Sequence, residues 1–489
     1  MKPVVAMQVV VIVGLLSFWT TKVLLRAYWT PLRRIPGPCY AKFTHLWLKK
    51  NVMSGRRVHY IHAMHQLYGP VVRIAPNEID IADPGLFKQV HKIGGGFTKD
   101  AWYQSFRTGT TQDVFSMIDV KDHAQRRKLL APLWTNTAIH NNWEAAVSEK
   151  VRLAVAQIKK EAQSTGVVDI FKWWTFMTTD VISLLAFGES MGMLERGTKN
   201  KFIEDVELAG KVGGFCAEIP WARSLMALIP LKFVRDLLDV NDRVQAYGEA
   251  AMERAKTKSG KENVFSRLIA EGDRKDGLTR YEVAFEAAGF IVAGSGTTAV
   301  SLTYLVWAVL SHPDVQTQLE AEVARLPQGF DDSQLEELPY LNAVIDETLR
   351  LYGAAPGNLP RNPPKGGTVI GAYFIPEGTT VSSQAFTLHR DPVVYPEPER
   401  FEPSRWIDEQ GTNIAAVTAY APFGAGSRTC IGLHLAKMEL RHGAAEFFKE
   451  CRGARIAPTM KPDDMDMLNF FLISPRSGRC EIALNAPIR

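Results

Sequence analysis

The chain has 489 residues, a formal net charge of +5 and five cysteines, with an isoelectric point near 8.8. So mild a positive balance, with no cluster of basic and aromatic residues, argues against a nucleic-acid partner. The odd, sparse cysteine set without paired spacing excludes a disulfide framework or a zinc site and fits reduced thiols facing the cytosol. Length alone allows about three domains, but no linker, repeat or low-complexity tract divides the chain.

Val4–Thr21 is almost wholly apolar, broken by Gln8, and Val23, Leu24 and Leu25 carry the run past Lys22. Roughly 20 such residues cross the hydrocarbon core of a bilayer. Lys22, Arg26, Arg33 and Arg34 follow the run and only Lys2 precedes it, which puts the body on the cytoplasmic side. Trp19, Tyr28 and Trp29 suit the headgroup level. The competing reading is a cleaved signal peptide, but no small-x-small site follows the run. Pro36-Gly37-Pro38 then makes a stiff turn. The expected organisation is an anchor at 1–30, a hinge at 31–40 and one body at 41–489.

Apolar and polar residues alternate from Gly69 to Asp83, broken by Pro76-Asn77, which predicts a β-hairpin. Phe97–Phe115 is rich in glycine and aromatics, among them Trp102, Tyr103 and Phe106. A helix opens near His123, whose spacing from Arg127 places both on one face, with Arg126 and Lys128 on other faces. Trp143 to Ile269 reads as helix after helix. Thr279 and Glu282 form a capping box for a helix expected to run to Ser311, where His312-Pro313 stops it. Its middle, Ala293-Gly294-Ser295-Gly296-Thr297-Thr298, is poor in helix propensity, and such a local conflict suggests a groove into which something fits.

Glu347 and Arg350 lie three apart on one helical face. Pro360-Arg361 follows, and His389 stands beside Arg390-Asp391, more consistent with a structural histidine than a metal ligand. In Phe423-Gly-Ala-Gly-Ser-Arg-Thr-Cys-Ile-Gly432 five positions suit a loop that holds one thiolate. Cys430 would be the electron-rich ligand of a haem iron. Gly426 and Gly432 let the backbone pass close to the sulfur and aim N–H groups at it. Arg428 can pair with a haem propionate and Phe423 can shield the sulfur from water.

This run resembles the haem-binding loop of the cytochrome P450 family, and the likeness extends from the proline hinge to the final strands. It implies a mostly α fold with small β-sheets, one N-terminal transmembrane helix, and haem b between the thiolate loop and the long helix. By the same resemblance His123, Arg127 and Arg361 bind propionates, and Thr297 with Thr298 serves oxygen activation. Glu347, Arg350 and a second arginine form an ion-pair triad. The register Phe401-Glu-Pro-Ser-Arg405-Trp406 favours Arg405 over Arg400 for that place. Trp102, Tyr103, Phe106, Ala293, Ala355 and Phe470 are substrate-pocket candidates, and Arg126 with Lys128 would help dock an acidic electron donor.

The sequence departs from the family pattern at Gly296, which stands where an acid precedes Thr297. Protons would then run through Thr297, Thr298 and ordered water, or come from an acid elsewhere, unless the reaction needs no such relay. The resemblance implies monooxygenation of a lipophilic secondary-metabolite intermediate with dioxygen as co-substrate. Electrons would come from NADPH through NADPH-cytochrome P450 reductase, with cytochrome b5 as a second donor, at the endoplasmic reticulum membrane. Desaturation, dehydration or isomerisation on the same thiolate-haem is the alternative, and a haem sensor or electron carrier a remote one.

Overall fold

In α1 (Lys2–Tyr28) the apolar side chains face outward, with Val10, Leu15, Phe18 and Trp19 all more than half exposed. Met7–Tyr28 is long and apolar enough to cross a membrane. The computed structural model describes residues 2–106, 111–240, 242–244, 246–247, 249–250, 278–407 and 419–484. What joins α1 to the body is stitched down. Arg73 N–H donates to the Pro36 carbonyl at 2.7 Å. The Arg73 guanidinium donates to the carbonyls of Ala27 at 3.3 Å, Arg26 at 3.4 Å and Pro76 at 2.6 Å.

The expected hairpin forms from β1 (Val71–Ala75) and β2 (Glu78–Ile81), antiparallel with Val71 opposite Ile81. All of β1 is buried, because Arg73 turns its polar end onto the carbonyls just named. With β3 (Thr98–Lys99), β4 (Arg361–Asn362) and β5 (Thr380–Ser383) the hairpin builds a sheet of order β1-β2-β5-β4-β3. Its register sets Lys99 opposite Arg361, so two cations meet at one sheet edge.

Helix α2 (Val120–Leu130) starts from an Asp119 side chain that accepts the N–H groups of Lys121 and Asp122, the usual role of an N-cap carboxylate. The helical stretch expected beyond Trp143 comprises α3 (Asn136–Thr165), α4 (Ile170–Phe187), α5 (Lys201–Glu218) and shorter helices, interrupted by the two-residue strand Val168–Asp169. Residues 251–269 of that stretch lie outside the described residues.

The long helix α6 (Arg280–Leu310) begins at the predicted capping box, with Thr279 and Glu282 exchanging hydrogen bonds. Its small residues let α4 approach. A Cβ on Gly294 would lie 2.7 Å from the Ile182 side chain, and Thr178 Oγ1 donates across the gap to the Ser295 carbonyl at 2.7 Å. The pair α4–α6 joins α3, α7 (Pro339–Tyr352) and α8 (Leu433–Glu450) around the main apolar core. A hairpin of β6 (Met467–Phe470) and β7 (Leu472–Pro475) closes near the C-terminus.

Candidate active site

The Cys430 loop is a tight fold of backbone. Cys430 N–H donates to the Phe423 carbonyl at 2.9 Å, and Thr429 N–H to that of Gly426 at 3.2 Å. Gly426 has φ +68°, and a Cβ there would collide with the His91 carbonyl oxygen, so this position requires glycine. Cys430 has exposed surface. Burial pushes the thiol above its ordinary value, while the Gly432 N–H and the Arg127 charge pull it back. Those two groups would hold the thiolate once a metal replaced the proton.

Beside the loop, cations outnumber anions. Arg127 Nη1 donates to the Thr429 carbonyl at 2.6 Å. Arg428 reaches the carbonyls of Met117 at 2.7 Å and Ile118 at 3.2 Å. Arg361 Nη1 donates to Tyr103 Oη at 3.2 Å and to the Pro360 carbonyl at 2.9 Å. Lys99 Nζ donates to the Phe115 carbonyl at 2.5 Å and sits over the rings of Tyr103 and Phe115, 4.0 and 4.4 Å from their centroids. Among the described residues no carboxylate forms an ion pair with these four. The strain is legible in their protonation. Burial, then Arg428, Lys99 and Arg127, push His123 down to about 3. Burial, then Arg361, lower Arg428 to about 10. Lys99 was not singled out from sequence; only the β3–β4 register brings it here.

On α6, Ala293, Gly296 and Thr297 are not buried. Thr297 Oγ1 donates to the Ala293 carbonyl at 2.6 Å. Among the described residues, the one group near a Cβ built on Gly296 is the end of Leu472, at 3.7 Å, so a side chain would be accommodated there. Thr298, one residue on, is turned away and buried.

The aromatic candidates divide. Trp102 lies 5.9 Å, centroid to centroid, from Phe471, which lies 5.8 Å from Phe115. Trp102 Nε1 also donates to Glu218 Oε1 at the end of α5, at 3.1 Å. Tyr103, expected to line the pocket, is only 1% exposed; its ring is committed to Lys99 and its hydroxyl to Arg361. Phe470 also departs from expectation. It is 54% exposed and packs over the Gly55 position, while its neighbour Phe471 turns toward Trp102. Phe471 reaches that position through a φ of +89°, uncommon for a non-glycine residue and an indicator of local strain. Ala355 is half-buried, next to the Ala354 carbonyl that receives Ile473 N–H at 2.9 Å. Phe106 ends the 3₁₀ turn Ala101–Phe106, and its side chain lies outside the described residues.

Glu347 is fully buried and receives five donors. Arg350 Nη2, Arg405 Nε and Glu402 N–H meet Oε1 at 2.8, 3.0 and 2.8 Å. Arg350 Nε and Trp406 Nε1 meet Oε2 at 2.8 and 2.9 Å. The Arg400 side chain instead pairs with Glu397 and Glu402 at the surface. The network continues toward the thiolate loop, since His389 Nδ1 bonds the Arg350 carbonyl at 2.8 Å and its Nε2 accepts Ala421 N–H at 2.9 Å. Arg126 requires a correction. It is buried between α2 and α6, with Glu286 at 2.6 Å and Glu282 at 2.9 Å, so it presents no charge to an electron donor. Lys128 is exposed.

A helical body with small sheets, a cysteine loop held by Arg127 and a cation cluster beside that loop are the features of a haem-thiolate protein. The cytochrome P450 family model matches residues 34–480. Cytochrome P450 monooxygenase stcB of Emericella nidulans is 40% identical over 469 residues, 94% of this chain and 89% of that protein. Cytochrome P450 monooxygenase tazI of Aspergillus terreus is 40% identical over 481 residues, 96% and 97% of the two. Methylphloroacetophenone oxidase of Cladonia uncialis is 33% identical over 391 residues, 76% and 85%. The chain belongs to the cytochrome P450 family, and with it to the oxidoreductases that incorporate molecular oxygen. The family binds haem iron, and the donor set here fits that group: one thiol with an N–H and a cation beside it, and cations lacking anionic partners where two propionates need them.

Proposed function

We propose that this chain is a membrane-anchored monooxygenase that inserts one atom of dioxygen into a lipophilic small molecule of fungal secondary metabolism, the other atom leaving as water. The observation that carries this reading is the Cys430 thiol with its Gly432 and Arg127 partners. Residues 1–30 anchor the protein, 31–40 lead into the body, and 41–489 hold the haem on the cytosolic side of the endoplasmic reticulum. NADPH-cytochrome P450 reductase supplies the electrons, with cytochrome b5 as a second donor.

Bound haem supplies the redox chemistry of oxygen activation. Around it, Arg127, Arg361, Arg428 and Lys99 hold its carboxylates, with His123 beside them, and Phe423 screens the sulfur. Thr297 carries a proton at Oγ1 that it can turn away from the Ala293 carbonyl. Trp102, Phe115 and Phe471 form an aromatic wall that excludes water and stacks on a lipophilic substrate. Gly296 supports a second reading, desaturation or isomerisation without the usual proton relay.

Product mass spectrometry under isotopically heavy dioxygen decides between them, using membranes that contain the protein and a reductase and are supplied with candidate lipophilic metabolites. One heavy oxygen in a product that forms only with NADPH is the expected result. An unlabelled product, or one formed without NADPH, would support the second reading.

A further inference from the structure

One cluster of metal-ligating side chains lies apart from the cysteine loop. His140 on α3 meets Asp332 and Glu336 on the short helix Asp332–Glu336, and one ligand atom from each lies within 4.8 Å of the other two. His140 Nε2 is 3.1 Å from Asp332 Oδ2 and 3.7 Å from Glu336 Oε1. Around a tetrahedral zinc ion with ligands at about 2.0–2.1 Å, neighbouring ligand atoms stand about 3.3–3.4 Å apart. The two distances from His140 bracket that spacing.

Glu144, one turn along α3, orders the cluster. Its Oε2 faces His140 Nδ1 at 3.4 Å, and its Oε1 accepts the Asp332 N–H at 2.7 Å. A carboxylate on one ring nitrogen takes the proton there and leaves the lone pair on the other. His140 Nε2 then meets Asp332 acceptor against acceptor, and despite the short distance it has no hydrogen-bond partner among the described residues. A second imidazole independently points the same way. His442 on α8 is 1% exposed. Its Nε2, also without a hydrogen-bond partner among the described residues, faces Asp332 Oδ1 from 3.8 Å. Arg441 Nε donates to Asp332 Oδ1 at 2.8 Å, and its Nη2 to Asp332 Oδ2 and to Glu336 Oε1, the latter at 3.1 Å. A carboxylate oxygen so engaged keeps a second lone pair. Glu144, Asp332 and Glu336 set against Arg441 leave an excess of two negative charges, which a divalent cation would balance.

We propose that His140, Asp332 and Glu336 form a site for a divalent transition-metal ion, zinc by its ligand chemistry, with water in the fourth position. One imidazole and two carboxylates suit zinc, and Glu144, Arg441 and His442 are the outer partners that orient them. The sparse cysteines argue only against a thiolate site, and this one uses no sulfur. Glu336 is exposed, which gives the ion an entry path. Because α8 begins three residues after Cys430, bound zinc braces α3 against the helix that leaves the cysteine loop. The site stands whichever reaction the haem performs.

The test uses the untagged, haem-loaded, full-length protein, treated with chelator and then dialysed against zinc chloride at neutral pH. Wild type should take up one zinc per chain. Its zinc-edge X-ray absorption should show nitrogen and oxygen neighbours at about 2.0–2.1 Å and no sulfur at about 2.3 Å. His140→Ala and Glu336→Gln should each weaken binding by roughly 100-fold or more, and Glu144→Gln by roughly tenfold through lost orientation. Zinc should raise the thermal midpoint of wild type but not of His140→Ala, since an ion held only by the folded state stabilises it. The rival account is a protonated His140 held by its carboxylates. Wild type would then take up no zinc, and that result overturns the proposal. Sulfur ligation, or uptake that survives His140→Ala, overturns it as well. If His140→Ala fails to fold, the exposed Glu336→Gln decides, and unchanged affinity there overturns the proposal.

Discussion

Replacing Glu347 by glutamine tests whether its hub holds the thiolate side of the body together. The side chain keeps its shape but loses its charge, and an amide nitrogen takes the place of one oxygen that now accepts from arginine or tryptophan. Arg350, itself 1% exposed, keeps the carbonyls of His389 and Pro398 at 2.7 Å and of Arg400 at 3.1 Å, but its charge is left uncompensated. Removing one partner of a buried pair costs about 3–5 kcal/mol. We expect that loss in the denaturant midpoint of the body, followed by tryptophan fluorescence. The pH dependence has a defined sign. Burial pushes the Glu347 carboxyl up, but Arg350 and then Arg405 overcome it and hold it below the ordinary 4.5. Its share of stability is thus complete above about 4.5 and is lost as pH falls through the lower folded value, and Glu347→Gln should remove that acid-sensitive component. A loss below about 1 kcal/mol, the size of an exposed pair, would refute the reasoning.

Arg126→Met should destabilise the body by about 3–5 kcal/mol by removing the buried guanidinium that pairs with Glu286 and Glu282, whereas Lys128→Glu should stay within about 0.5 kcal/mol; paired unfolding curves check both. Lys99→Met should stabilise the haem-free body yet weaken haem retention, read from thermal unfolding and the haem-to-protein ratio. Burial, then Arg361 and Arg428, hold Lys99 well below the ordinary 10.5. The cost of its charge is therefore greatest at pH below its folded value and fades as pH rises toward 10.5. Gly294→Ala should cost about 1–3 kcal/mol through overpacking against Ile182, and Ile182→Val in the same chain should recover part of it in a double-mutant cycle.

What the sequence made legible was what local rules govern. The α6 capping box, the Glu347–Arg350 pair and the cysteine loop each depend on residues a few positions apart. Arg405 could be preferred to Arg400 because proline and aromatic spacing marked a register. Elsewhere the decisive partner is distant. Helical spacing separated Arg126 from Arg127 but could not say that α6 covers Arg126. Lys99 joins the cation cluster through a cross-strand register. Phe470 and Phe471 are chemically identical neighbours, and the backbone of one turn residue decides which faces Trp102.

The clamp of Arg73 on the carbonyls of Arg26 and Ala27 has a mechanical consequence. A proline segment suggests a swivel, on which the body could tumble about its membrane stalk. Here the last turn of the stalk and Pro36 are both fastened to the first sheet. The sheet and α1 therefore form one lever, and any tilt of α1 rotates the body with it. Were α1 to span a bilayer as proposed, its tilt would set how the body faces the lipid.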